Sequence, residues 1–150
     1  MLDFEQLAFI EKWRQKASRG VVVMLDGTRG DIAVTLRVGE GATRVDLRGR
    51  DATGKVRTSR LAIGDRVTMA IEFTAKDVTK ASGRGHVAGG VVGAGAMVEG
   101  VVKETGEIAV VDCGADVLVR GDTLGTVNVG DAVAFTIAAD GKAYLIPSRG

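Results

Sequence analysis

The feature that most constrains this chain is an internal repeat between its two halves. The segment Arg19–Leu36 matches Glu99–Asp112 through a shared Gly-Val-Val and a shared run of glycine, acidic residue, Ile, Ala and Val. Self-similarity of this kind indicates that one structural unit occurs twice. We therefore expect two copies of the same small unit within the 150 residues.

Three further blocks recur in the same order in both halves. The pairs are Arg44–Asp51 with Asp116–Asp122, Leu61–Phe73 with Val127–Ile137, and Gly83–Gly90 with Asp140–Pro147. The first half has the longer loops, including an insertion at residues 49–61. We interpret the repeat as a tandem duplication, and we call residues 20–92 the first copy and residues 98–150 the second copy.

Apolar and polar residues alternate through both copies, which is typical of half-buried β-strands. Five strands are predicted in each copy, at about 20–26, 31–38, 43–48, 65–74 and 84–92 in the first and at 98–104, 107–112, 116–120, 131–138 and 142–147 in the second. Glycine turns separate these strands, since the chain has 22 glycines and one proline. The sequence thus predicts an all-β fold with two tandem five-stranded barrels.

The first 19 residues differ from the rest because their apolar spacing is helical. Asp3 and Gln6 form a capping-box pattern, and Gly20 is placed to end the helix. Phe9 and Trp13 widen the apolar face beyond what one contact needs. Two interpretations stay open, a helix packed across a barrel opening or a helix that docks on a partner protein or a second subunit. The predicted organisation is a helix at 1–19, a first barrel at 20–92, a Gly-rich linker at 93–97 and a second barrel at 98–150.

A family resemblance is carried mainly by the second copy. A glycine-led strand, an Asp-Val-x-Val strand and a late Gly-Asp-x-Val-x-Phe-x-Ile segment occur in order at Gly100, Val102, Gly106, Asp116, Val117, Val119, Gly130, Asp131, Val133, Phe135 and Ile137. This pattern resembles the OB fold of cold-shock and S1-type domains over most of residues 98–147, and more loosely over 20–92. The resemblance implies OB-like barrels that bind single-stranded nucleic acid through aromatic side chains on their second and third strands.

Aromatic residues are absent at the positions that match this binding face. Those positions are Glu107, Ala109, Leu118 and Arg120 in the second copy and Asp31, Ala33, Asp46 and Arg48 in the first. Tyr144 is the one candidate stacking residue of the second copy. Because base stacking contributes about 1–3 kcal/mol per base, a nucleic-acid binder with this sequence needs another source of affinity.

Arginine is the alternative source of affinity in the first copy. Residues 1–85 carry 16 basic and 11 acidic side chains, whereas residues 86–150 carry 4 and 8. A basic groove binds phosphates with little sequence preference. The candidate nucleic-acid-binding residues are Arg44, Arg48, Arg50, Lys55, Arg57 and Arg60. The alternative interpretation is a solvated loop whose arginines pair with neighbouring acids.

Few residues in the chain suggest catalysis. His86 is the only histidine and Cys113 the only cysteine, which excludes a multi-histidine or paired-cysteine metal site, and no cofactor is expected. The lone cysteine and the absence of a secretory signal or long apolar run predict a cytoplasmic protein that does not contact membranes. We expect a non-enzymatic binder of single-stranded RNA or DNA. The alternative is a structural or adaptor protein whose barrels and helix, through Phe9 and Trp13, form protein–protein or homo-oligomeric contacts.

Overall fold

The computed structural model describes residues 4–14, 17–28, 31–39, 44–58, 60–81, 86–87, 90–121 and 126–146. Most of them lie in strands, which confirms the all-β prediction. The described α-helices are α1 (Phe4–Trp13) and α2 (Lys55–Thr58). The strands are β1 (Ser18–Thr28), β2 (Asp31–Val38), β3 (Val45–Asp51), β4 (Arg66–Lys80), β5 (His86–Val87), β6 (Val91–Val92), β7 (Met97–Glu104), β8 (Ala109–Asp112), β9 (Asp116–Arg120), β10 (Ala132–Ile137) and β11 (Gly141–Ile146).

The predicted strands agree with the observed ones except at the fifth strand of the first copy. The described residues between 84 and 92 form only β5 and β6, each of two residues. β5 pairs with β7 and β6 pairs with β3, so neither takes the place of a fifth strand beside β4. β4 is also longer than predicted, because it continues for 15 residues up to Lys80.

The first copy lies in a closed series of strand pairs, which we call the first circuit. β1, β2 and β3 are antiparallel neighbours. β11 pairs in parallel with β3 and antiparallel with β4, and β4 pairs back with β1. Because β11 belongs to the second copy by sequence, a strand from the other half completes the first circuit.

The second copy lies in an equivalent second circuit. β7, β8 and β9 are antiparallel neighbours, and β10 pairs with β7. The remaining place is taken by the later part of β4, where residues 72–74 pair in parallel with β9 and residues 75–80 pair antiparallel with β10. β4 is therefore the fourth strand of the first circuit and the fifth strand of the second.

The two copies thus exchange their fifth strands. β4 runs out of the first circuit into the second, while β10 and β11 run along it in the opposite direction, from the second circuit into the first. Between them, the Ala138 N–H donates to the Thr74 carbonyl at 2.8 Å. Neither predicted domain, 20–92 or 98–150, contains all five strands of one circuit, and the boundary at 93–97 stays a prediction.

The turns before β4 and β10 show how closely the two copies match. The Gly64 N–H donates to the Val22 carbonyl at 2.7 Å, and the Gly130 N–H donates to the Val102 carbonyl at 2.8 Å. Both glycines have a positive φ, 100° and 93°, which a glycine adopts without a steric penalty. In each copy the aspartate that follows accepts a hydrogen bond from the N–H three residues before it, at 2.9 Å.

Apolar side chains divide between two clusters, because successive residues of a strand point to opposite faces. The large core holds inner-facing residues of both circuits, such as Leu36, Phe73 and Val119. The small cluster lies on the other face of the strands and consists of Ile10, Ala70, Ile108, Val110, Leu118, Tyr144 and Ile146. α1 is thus anchored through Ile10 to an outer face that both copies supply.

The chain enters the first circuit earlier than predicted. α1 ends at Trp13, and β1 begins at Ser18 because residues 18–21 pair with β4. Gly20, which we expected to end the helix, lies within β1, where an added Cβ would collide with the carbonyl oxygen of Arg37. The predicted cap Asp3 lies outside the described residues.

Candidate functional site

Two of the predicted basic residues, Arg48 and Arg50, lie on the outer face of β2 and β3. Leu36 and Leu47 point into the large core, so the residues on either side of them point outwards. The outward residues are Ala33, Thr35 and Arg37 on β2 and Asp46, Arg48 and Arg50 on β3. We call this surface, together with Asp26, Asp31 and Asp140 that contact it, the arginine face.

Arg48 lies at the centre of the arginine face and binds two carboxylates. Its Nη1 and Nη2 donate to the two carboxylate oxygens of Asp26 at 3.0 and 3.1 Å, and its Nε donates to Asp140 Oδ2 at 3.2 Å. The hydrogen bond from Arg48 lowers the pKa of Asp26, and the same bond raises the pKa of Arg48. The guanidinium therefore stays charged, but its donors are already engaged.

Asp140 connects the arginine face to the Gly-rich segment between the copies. Its Oδ1 accepts a hydrogen bond from the Ala94 N–H at 3.0 Å, while its Oδ2 accepts from Arg48 and lies 3.9 Å from Arg50 Nη2. The side chain of Asp140 is only 12% exposed. One largely buried carboxylate thus holds β3, the segment at Ala94 and the start of β11 together.

The other two arginines of this face are paired in the same way. Arg37 donates from Nε and Nη2 to Asp46 at 2.9 and 3.1 Å, and Arg50 donates from Nη1 to Asp31 at 2.8 Å. Hydrogen bonding to Asp46 raises the pKa of Arg37. The ion pairs of this face join Arg37, Arg48 and Arg50 to Asp26, Asp31, Asp46 and Asp140. Among these paired groups acids outnumber bases by one, so the three arginines do not form an open basic groove.

The remaining candidate arginines and lysine lie around the start of β3 and the segment that follows it. Arg44, Lys55 and Arg60 are exposed. Neither Arg44 nor Arg60 forms an ion pair within the part of the chain that the structure describes. Arg57 lies in α2, and its side chain is outside the described part. Arg50, which we expected in the loop after the third strand, lies in β3 instead.

The equivalent face of the second copy is apolar. Val22 of β1 and Val102 of β7 hold equivalent positions, and the register counted from them across the next two strands places Leu118 at the position of Arg48. Leu118 is buried in the small cluster together with Ile10 of α1. The outer face of β8 and β9 is therefore covered in this copy.

Arg120, at the edge of the covered face, is also paired with carboxylates. Its Nε donates to Glu72 Oε1 and its Nη1 donates to Glu107 Oε1, both at 2.7 Å. Hydrogen bonding to the buried Glu72 is the main cause of the raised pKa of Arg120. Glu72 belongs to β4, so this contact also joins the shared strand to β9.

The side chains of the shared Ile-Ala-Val motif lie on opposite faces of the strand in the two copies. Val34 of the first copy lies in the large core, whereas its sequence counterpart Val110 lies in the small cluster and Ala109 takes the core position. A shift of one residue exchanges the two faces of a strand. The structural equivalence of β2 and β8 is therefore shifted by one residue from the equivalence that the shared motif indicates.

The candidate aromatic residues do not form an open stacking surface in the described part of the structure. Tyr144 is 9% exposed and packs in the small cluster, which corrects the expectation that its ring reaches the surface. Its position follows from the alternation of β11, since Ala143 points into the large core. The side chains of Phe9 and Trp13 lie outside the described part, and their contact with a partner stays a prediction.

The described residues offer little reactive chemistry. Burial raises the pKa of the Cys113 thiol to about 11, and its Sγ donates to the Ala115 carbonyl at 3.5 Å. A thiol of this kind is a poor nucleophile at neutral pH. Within the described ranges, no three His, Cys, Asp or Glu side chains are grouped so that they could hold a metal ion. None of the helices described here is both long and apolar enough to cross a bilayer.

Sequence reasoning missed the carboxylates that neutralise the arginines. Asp140 lies 92 residues from Arg48, and Glu72 lies 48 residues from Arg120. No local pattern signals contacts over such separations, because they depend on the exchange of fifth strands. Only the acids close to the arginines in sequence, Asp46 and Asp51, are recognisable there as residues that reduce the basic charge.

Comparison with known proteins leaves the chain to be interpreted by its own geometry. It matches no protein family, no curated protein and no solved structure. The contacts of the arginine face, the small cluster and α1 are therefore the basis for any functional conclusion.

Proposed function

We propose that this chain is a non-enzymatic scaffold that associates through α1. In this proposal each circuit is a five-stranded OB-like barrel, and the two barrels have exchanged their fifth strands. The strand order supports this, since a three-stranded antiparallel series is followed by a strand parallel to the third and by a strand antiparallel to the first in each circuit. That order is typical of the OB fold.

The apolar stripe of α1 carries the proposal. Residues three apart lie on one side of a helix, and Phe4, Leu7 and Ile10 form such a series. Ile10 is 3% exposed in the small cluster, whereas Leu7 is 45% and Phe4 is 91% exposed. The stripe therefore begins on the molecule and continues beyond it into solvent. Covering the exposed end removes apolar surface from water, which favours association by about 25 cal/mol per Å².

The two barrel faces favour this function over nucleic-acid binding. The outer face of β8 and β9 is already occupied by the small cluster. On the arginine face, a phosphate would have to displace Asp26 and Asp140 from Arg48, and the acids released would repel it. A contact through α1 leaves both faces undisturbed, and we take a second molecule of the same chain as its partner.

The test measures self-association of the wild type and of a Leu7→Glu variant by sedimentation over a wide concentration range. A charge on the stripe should raise the dissociation constant at least about tenfold, which corresponds to a loss of about 1.4 kcal/mol in the free energy of association. Glu5→Gln, an exposed change on the same helix, is the matched control and should leave the constant unaltered. A monomeric wild type at all concentrations, or equal association of wild type and Leu7→Glu, would remove the proposal.

Binding of single-stranded nucleic acid remains a second candidate because two exposed arginines have no ion pair among the described residues. Arg44 and Arg60 flank the segment that contains Lys55 and Arg57. Fluorescence anisotropy with labelled RNA and DNA at several salt concentrations tests this function in an Arg44→Glu/Arg60→Glu variant. Each lost phosphate contact should reduce the slope of log binding constant against log salt concentration by about one. Arg66→Glu, an exposed change in β4, is the control, and absence of binding by the wild type at low salt would reject this candidate.

A further inference from the structure

β11 occupies a slot between two strands of the first copy. Residues 141–143 pair in parallel with residues 49–51 of β3, and residues 142–146 pair antiparallel with residues 68–72 of β4. Ala143 is fully buried, and Ile146 is buried in the small cluster. Backbone pairing on both sides with buried alternate side chains is the mode in which a peptide strand binds a sheet. The first circuit thus binds β11 as it would bind a separate strand.

The slot fits β11 closely because two glycines meet there. A Cβ added to Gly141 would lie 2.7 Å from the Ile71 side chain and 2.9 Å from the Phe73 ring, and a Cβ added to Gly49 would lie 3.1 Å from that of Ala143. The corresponding slot of the second circuit is filled by β4, where Phe73 takes the place of Gly141 according to the register. A strand with the small residues of β11 therefore belongs in the first circuit.

The connection between β10 and β11 contains extra length. Ile137 lies opposite Ala75 and Lys142 lies opposite Glu72, so five steps along one side face three steps along β4. β4, in contrast, passes between the circuits as one continuous strand. Residues 138–140 are therefore a hinge with slack, held in place by Asp140 through Arg48 and the Ala94 N–H.

We propose that β11 exchanges between two molecules of this chain, so that each first circuit is closed by the β11 of the other molecule. The slot contacts β11 only through residues distant in sequence, and it makes the same contacts with an identical strand from another molecule. Intramolecular closure is favoured at low concentration, and exchange is favoured when the protein concentration approaches the effective concentration that the hinge imposes. The exchange uses β11 and not α1, so it goes beyond the proposed function and does not depend on it.

The test uses two single-cysteine changes carried by different full-length molecules. Arg50→Cys and Lys142→Cys alter exposed neighbours in the parallel pairing of β3 and β11, where the strand spacing of about 4.8 Å permits a disulfide. The two variants are unfolded together in denaturant, refolded at high concentration and oxidised. Mass spectrometry then identifies any covalent heterodimer joined between positions 50 and 142. The double variant Arg50→Cys/Lys142→Cys, refolded when dilute, shows that the bond forms within one molecule.

We expect the covalent heterodimer to increase with refolding concentration and to be absent when Arg37→Cys, an outward position on β2, replaces Arg50→Cys. Wild-type protein refolded under the same conditions should contain a dimer by native mass spectrometry. A mixture that gives no bond between positions 50 and 142, although the double variant closes its own, would overturn the proposal. Dimers that depend on Leu7 but lack this bond would instead support contact through α1 alone.

Discussion

The outer faces of the two copies hold equivalent positions in the fold and have opposite chemistry. In the first copy Arg48 is bound by carboxylates at the surface, and in the second copy Leu118 is buried at the same register position with Val110. The inner faces, in contrast, both contribute to one large core. Strand pairing and the inner core are therefore common to the two copies, whereas the chemistry of each outer face depends on what covers it. Ile10 of α1 covers one face, and ion pairs cover the other.

Truncation of the apolar face should have the largest effect. Leu118→Ala removes a side chain that is buried between strands and helix, and we expect a loss of about 2–4 kcal/mol in the free energy of unfolding. Chemical denaturation of the full chain measures this. Val129→Ala, at an exposed residue of the second copy, is the control and should have little effect. A loss below about 0.5 kcal/mol would mean that α1 does not seal this face.

Replacement of the central arginine by its second-copy counterpart should have a smaller effect. Arg48→Leu removes the pairs with Asp26 and Asp140, and leaves the Asp140 carboxylate largely buried with fewer donors. We expect a loss of about 1 kcal/mol, since ion pairs near the surface contribute modestly. The loss should shrink at high salt, in contrast to that of Leu118→Ala. A variant more stable than the wild type would show that the arginine face costs stability, and Arg66→Leu supplies the exposed control.

The smallest expected effect is on the loss of stability at acid pH. Hydrogen bonding to Arg48 lowers the pKa of Asp26 below its usual value of 3.8. A carboxyl whose pKa is lower in the folded state stabilises the protein above the unfolded pKa, and this contribution disappears as the pH falls through the folded value. Denaturation between pH 5 and 2 should therefore show a shallower loss of stability in Asp26→Asn than in the wild type. Equal slopes would indicate that the pair with Arg48 is absent in solution, and Leu118→Ala should keep the wild-type slope.

Strand positions could be predicted from the sequence because they depend on local pattern. The register of the strands and the choice of pairing partner could not. Alternation and glycine turns located β2, β7 and β9 almost to the residue. The same alternation is present whichever circuit a fifth strand completes, so it could not reveal that β11 crosses to the first copy. The shared Ile-Ala-Val motif misled the assignment of outer faces, because a shift of one residue reverses a strand while the letters stay the same. Arg48 and Arg50 are recognisable in the sequence as neighbouring bases, but their contacts with Asp140 depend on the exchanged fold.

The continuous β4 makes the two halves of the molecule a single thermodynamic unit. Its residues 68–72 hold β11 in the first circuit, and its residues 72–80 hold β9 and β10 in the second. Opening either circuit at this strand frees pairs that belong to the other, so the halves have no independent subglobal opening along it. The central amides of β4 should exchange with deuterium only when the whole chain unfolds. A destabilising change in one half should then lower the free energy of unfolding of both halves equally, as it would within one small domain.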